Sequence, residues 1–264
     1  MKRLQPQTIH ATLQTEINEF LDKVTHTDSY DKDVFASLMG RAIELQGKGR
    51  DVVAGCLLRA SLFSGTGQFA DVEKMVRNVE NNHGFAEARA ARFSHLINHG
   101  YATDAMKLAD LFFANRADYN FADVALCVMA AGGFNKVAEK LEESQRSQEV
   151  LKMTSTVLSL STKSAEVLAL LEVSDVQIAA MLDLAGEILR ANRLYWQGSM
   201  PDVRILLPEH GGPALMFEYR VFVSPQESAR MTWELTESRV CQNLDIPGIH
   251  IGFVGTELPV RLAA

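Results

Sequence analysis

Two histidines four residues apart, His95 and His99, are the first side chains that could do chemistry together. On a helix an H-x-x-x-H pair faces one side, which is the geometry of a zinc site. However, Leu96 follows His95 where a metalloprotease carries its general-base glutamate, and no third ligand is signposted. His99 also stands directly before Gly100, where the helix dipole favours a terminal histidine. The pair therefore reads as structural, and no metal or cofactor is expected. Glu209-His210-Gly211-Gly212 could donate to an oxyanion only beside a G-x-S-x-G nucleophile elbow, and the chain has none. It also lacks G-x-x-x-x-G-K-[ST], and the glycines Gly65 and Gly67 are not followed by the third glycine of a dinucleotide loop. Glu142 and Glu143 read as solvating charges. No catalytic residue is assigned. An enzymatic reading would need a site between helices and sheet, around His210, Glu218 and His250, for which there is no motif.

Basic residues at a fixed interval form the second group. Lys74, Lys107 and Lys140 each stand seven residues after a glycine, and Arg59 and Arg92 stand 33 residues apart. A guanidinium can hold a carboxylate through two parallel hydrogen bonds, so the arginines are candidates for gripping an acidic segment of another protein. The lysines read as an outer row, either solvated or able to meet a partner, and in an alternative reading, a nucleic-acid-linked regulator, they would meet phosphates.

These residues are positioned by helices. From about residue 8 to 192, apolar residues recur at three- and four-residue spacings, as with Ala105, Leu108, Ala109 and Phe112. Breakers interrupt them, including Thr27–Ser29, Gly47–Gly49, Asn81–Gly84 and Asn115–Asp118. Gly67, Gly100 and Gly133 lie 33 residues apart, with Phe69, Tyr101 and Phe134 within two positions of them. Small or apolar Val72, Ala105 and Ala138 come five residues after the glycines, and Met75, Leu108 and Leu141 eight after. The glycine permits a tight turn, the aromatic plugs it, and the small residue lets two helices approach. Such a period is the mark of helical hairpins that cannot bury their apolar faces alone and must stack.

Gly67-Gln68-Phe69-Ala70-Asp71-Val72 and Gly100-Tyr101-Ala102-Thr103-Asp104-Ala105 resemble the inter-helix turn of tetratricopeptide repeats, over about residues 52–148. The aromatic comes one place early after Gly100 and Gly133. The family's first-helix aromatic and leucine positions fall on Cys56/Arg59, Arg89/Arg92 and Ala122/Ala125. Its small position falls on Ala60, Phe93 and Leu126, of which only Ala60 fits. The resemblance implies an α-hairpin solenoid whose first helices line a groove, which would place Arg59 and Arg92 in that groove.

Met153–Ser164 is Ser/Thr-rich and reads as a weak helix, and Asp175–Asn192 as a helix with a broad apolar face. After Arg193 the pattern changes. Asp202–Leu207, Ala214–Val223, Ala229–Val240 and Gly248–Val254 read as strands of a small antiparallel sheet packed on the last helices. Met231, Trp233 and Leu235 alternate with Thr232, Glu234 and Thr236, so Trp233 is expected to be buried in the helix–sheet interface.

Of 264 residues, 47% are hydrophobic, enough for a sizeable core. The net charge is −7, nearly all of it after residue 120, which argues against nucleic acid as the main partner. Three scattered cysteines and no C-x-x-C fit reduced thiols and a cytoplasmic setting. No secretory leader or apolar 18-residue stretch suggests a membrane. The expectation is a mainly α chain, with a helical-repeat domain over 1–192 and a β-rich region over 193–264. Its function would be that of a protein-interaction module, an adaptor, chaperone or regulatory subunit. Arg59, Arg92, Lys74, Lys107 and Lys140 are its candidate partner-binding residues, and the β region is a candidate surface for self-association.

Overall fold

A computed structural model describes residues 6–47, 51–82, 86–114, 121–144, 155–195, 201–207 and 212–256. Among them are eleven helices and a small three-stranded sheet near the C-terminus. The expected breaks at Asn115–Asp118 and around His210 lie outside the described residues. Backbone contacts divide the chain into two compact units, Met1–His95 with Arg193–Gln197, and Leu96–Asn192 with Gly198–Ala264.

The first unit contains α1 (Pro6–Leu21), α2 (Lys32–Gly47), α3 (Val52–Gly65), α4 (Phe69–Asn82) and α5 (Ala86–Asn98) as far as His95. Leu13, Ile17, Leu38, Leu58 and Leu62 form one core, and Cys56, Val72, Val76 and Val79 another. Asp51 caps α3 by accepting the Ala54 N–H at 2.9 Å. Residues 193–195 return to this unit and bond the loop between α1 and α2. The Thr27 N–H donates to Arg193 O at 2.8 Å, and the Tyr195 N–H to Thr25 O at 3.1 Å.

The second unit contains α6 (Ala102–Ala114), α7 (Phe121–Ala130), α8 (Phe134–Ser144), α9 (Ser155–Leu170), α10 (Asp175–Ala191) and α11 (Pro225–Cys241), with strands β1 (Asp202–Leu206), β2 (Ala214–Val221) and β3 (Ile249–Gly255). Helix α10 begins with a capping box, Ser174 and Gln177 bonding each other's backbone amides. It then clamps two inter-helix turns. Asp175 accepts the Asn135 and Lys136 N–H groups at 3.0 and 2.9 Å, capping α8, and Asp183 accepts the Thr103 N–H at 3.1 Å, capping α6. Ile178 packs on Gly132 and Gly186 on Gly100. Both pairs of contacts are eight residues apart on α10, about 12 Å along its axis. At the C-terminal end, Arg190 donates to the carbonyls of His99 and Gly100 and lies 4.0 Å from the centre of the Tyr101 ring.

Gly67, Gly100 and Gly133 all lie in inter-helix turns, as their spacing predicts. The first two have φ of +71° and +65°, but in the third turn the left-handed residue is Gly132, at +90°. Each turn carries the same bond pair. Gly67 N–H reaches Ser64 O and Gln68 N–H reaches Phe63 O; the same pairs recur for Gly100 with Tyr101 and for Gly132 with Gly133. Counted from these residues, the fifth positions are Val72, Ala105 and Val137 and the ninth are Val76, Ala109 and Leu141, all buried.

The sheet differs from expectation. Its order is β1-β2-β3, with β1 antiparallel and β3 parallel to β2. The expected strand over Ala229–Val240 is instead α11, the crossover that a parallel pair requires. Ser224 caps it, Pro225 opens it, and Ser228, Met231, Leu235 and Arg239 form its buried stripe. Trp233 therefore points away from the core and is 66% exposed, its indole N–H donating to Glu237 at 2.9 Å. Leu215, Phe217, Tyr219, Ile249, Ile251 and Phe253 are the buried face of the sheet. Full burial of a side chain such as Phe217 contributes about 1.5–3 kcal/mol.

Candidate functional site

The sequence-derived candidates have different fates. On α3, Arg59 is half-buried. Its Nη1 donates to Gln46 Oε1 of α2 at 2.6 Å, and its guanidinium lies 5.9 Å from the centre of the Phe63 ring. Its Nε is buried without a hydrogen-bond partner. Among the described residues no carboxylate comes within 4.0 Å of it, whereas eight other arginines each have one. Among the described residues, Arg59 thus carries a charge with no carboxylate in contact.

On α5, Arg92 is placed differently. Its Nε and Nη2 donate to Glu73 at 3.2 and 3.0 Å, and its Nη1 and Nη2 to Glu80 at 2.8 and 3.3 Å. Glu73 and Glu80 are seven residues apart on α4, so they share a face and hold the guanidinium from both sides. Burial works against the charge of Arg92, but the two carboxylates outweigh it and raise its pKa above the ordinary range. This arginine ties α5 to α4.

The lysines do not hold one structural position. Lys74 and Lys107 come seven residues after a left-handed glycine, but Lys140 comes eight after Gly132, where Glu139 takes the equivalent place. Lys74 is exposed, Lys107 pairs with Asp104 at 2.7 Å and Lys140 with Glu143 at 2.9 Å. Lys74 belongs to the first unit, the other two to the second.

His95 is buried and shares a 2.9 Å hydrogen bond between its Nδ1 and Ser64 Oγ, with the Phe69 ring 5.3 Å away. Burial, opposed by Glu73, lowers its pKa from 6.5 to about 4. His99 is buried as well. Among the described residues no group of three or more His, Cys, Asp or Glu could hold a metal ion. Glu218 and His250 lie on the solvent side of the sheet, not at a helix–sheet junction. Glu218 faces Arg204 and Arg220 at 3.4 and 4.0 Å, and His250 is exposed. Cys56, Cys127 and Cys241 are free thiols; burial, helped by the charge of Asp123, pushes Cys127 up to about 11.

One feature had no signal in the sequence. A cleft of about 300 Å³ opens between α1 and α2. Its floor includes Phe20, Val24, Tyr30 and Leu38, and Glu16, Glu19 and Asp31 lie at its rim beside Lys23. Glu16 is already held by Arg41, and Asp31 caps α2 through the Asp33 and Val34 amides, both at 3.0 Å. The cleft suits an apolar side chain. Its residues come from two helices and the loop joining them, and no periodic pattern in the sequence links them. No family model, curated protein or solved structure matches the chain. No described helix is long and apolar enough to cross a membrane.

Proposed function

We propose that the chain is a protein-interaction module, an adaptor or regulatory subunit of the reducing cytoplasm, and that its first unit takes an acidic segment or C-terminal carboxylate of a partner at Arg59. The observation that carries this reading is the guanidinium of Arg59, which no carboxylate contacts among the described residues. The buried Nε is closed to an incoming group, but the terminal guanidinium nitrogens of this half-buried side chain keep donors beyond the single bond to Gln46, and a carboxylate is the matching acceptor. Phe63 and Gln46 hold the guanidinium in place, so little side-chain entropy is lost on binding. The tetratricopeptide-like turns and the free thiols agree with this reading. The groove proposed here relies on Arg59 alone, because the donors of Arg92 are taken by Glu73 and Glu80.

The test uses a fluorescent acidic peptide with a free C-terminus, its amidated form, and the native-cell proteins retained on the immobilised chain. Losing charge-assisted hydrogen bonds costs about 1.5–3 kcal/mol, so Arg59→Ala should weaken binding roughly ten- to a hundredfold. Arg59→Lys should recover only part of this, since an ammonium cannot make the fork. Unchanged binding in Arg59→Ala would remove the assignment.

A further inference from the structure

The two edges of the sheet are treated differently by the fold. Leu215 N–H donates to Gly248 O at 2.8 Å and Thr256 N–H to Val221 O at 2.8 Å. The odd-numbered residues of β2 therefore aim their amides at β3, and its even-numbered residues aim theirs at β1. Given the register of β2 and β3, the outer edge of β3 carries the backbone groups of Ile249, Ile251 and Phe253. Helix α11 covers that edge. Thr232 Oγ1 accepts the Phe253 N–H at 2.9 Å, and Arg239 Nη2 donates to Ile249 O at 2.9 Å. Arg239 is 4% exposed, held there although burial lowers its pKa against the opposing charge of Asp245.

Among the described residues, no side chain bonds the backbone of the β1 edge in this way. Arg204 pairs with Met216 and Asp202 with Glu218, so the amides of Asp202 and Arg204 serve the β1–β2 ladder. Val203 and Ile205 turn their N–H and C=O groups outward, and among the described residues nothing bonds them. An open edge is a template for another strand. The side chains beside it are not neutral. Asp202 and Arg204 alternate on the solvent face, paired to each other at 2.5 Å, with Arg220 at 3.2 Å from Asp202.

We propose that β1 pairs antiparallel with β1 of a second copy of this chain, Val203 against Val203 across a twofold axis. The charges select that occupant and that register. With Val203 at the centre, Asp202 of each copy lies opposite Arg204 of the other, on two symmetric sites. Centring on Arg204 would set two guanidiniums face to face, centring on Asp202 two carboxylates, and centring on Ile205 would match Arg204 with Leu206. The outward N–H of each Val203 then donates to the Val203 carbonyl of the other copy, and the Ile205 N–H donates to the carbonyl of Pro201 of the second copy. Pro201 has no N–H, so the ladder ends there. The strand is only five residues long, which limits pairing with unrelated strands while leaving this symmetric match intact.

The test is sedimentation of the full chain over a wide concentration series. The wild type is expected to form a dimer at the upper end. Val203→Pro removes an outward N–H that the β1–β2 ladder does not use, so it should keep the fold and sediment at the 29.2 kDa of one chain. Arg204→Asp sets carboxylates against each other and should also be monomeric, while the exchanged pair Asp202→Arg with Arg204→Asp should recover the dimer. Far-UV circular dichroism and Tm identify any variant that fails to fold, in which case the charge series decides. A wild type that stays monomeric, a dimer that survives Val203→Pro, or a charge exchange that does not restore association overturns the proposal.

Discussion

Acidification should destabilise the first unit through His95. In the folded chain its imidazole is 5% exposed, and burial sets its pKa at about 4 against an ordinary 6.5. The folded state therefore keeps His95 neutral where the unfolded state already binds a proton. Stability from this group is complete above pH 6.5 and is lost as the pH falls towards 4. A shift of about two and a half units corresponds to about 3 kcal/mol in full, of which about 2 kcal/mol should be gone by pH 5. Carboxylates titrate in the same range, so the quantity to measure is the difference between wild type and His95→Asn, which keeps a polar group near Ser64 but cannot be protonated. Urea unfolding across a pH series should show the wild type losing about 2 kcal/mol relative to the variant between pH 7.5 and 5. Direct titration of the His95 ring protons by NMR gives the folded pKa independently. A difference that does not vary with pH, or a ring that titrates near 6.5, would refute the reasoning.

Three further outcomes follow from packing. A Cβ on Gly100 would stand 2.3 Å from Gly186 Cα, and its φ is +65°, so Gly100→Ala should lose roughly 2–5 kcal/mol in denaturant unfolding, while Gly40→Ala, in a helix with nothing within 4 Å, should gain about 1 kcal/mol. Trp233→Ala should change stability by no more than about 0.5 kcal/mol and should abolish a solvent-quenchable fluorescence component, since the indole is on the surface.

The helical part of the chain was legible because its turns need glycine. Gly67 and Gly100 adopt left-handed φ values that other residues resist, so their spacing marked the hairpins. The third turn misled by one residue, because Gly132 and Gly133 are adjacent and only their φ angles tell them apart. That single slip placed Lys140 in a row it does not belong to. The reading of α11 failed for a different reason. Met231-Thr232-Trp233-Glu234-Leu235 alternates like a strand, and the helical stripe emerges only when Ser228 and Arg239 are counted as buried, which their polarity discouraged. For the candidate site, the sequence could flag Arg59 and Arg92 but not separate them. Glu73 and Glu80 stand two turns apart on one helical face and could have been matched to Arg92. The lack of any such match for Arg59 depends on side chains that meet only after folding.

The clamp formed by α10 also favours one order of assembly on loop-closure entropy. Its N-terminal end bonds residues 40 positions earlier, and its middle bonds a residue 80 positions earlier. Closing a loop twice as long costs about 0.6 kcal/mol more in chain entropy. The turn at Gly132 is therefore the cheaper one to capture first. Once Asp175 and Ile178 are seated there, each added turn of α10 brings Asp183 and Gly186 nearer to Gly100 and shortens the loop still to be closed. The helix is therefore expected to zip from Ser174 towards Arg190, and φ-values higher at Asp175 than at Asp183 would show it.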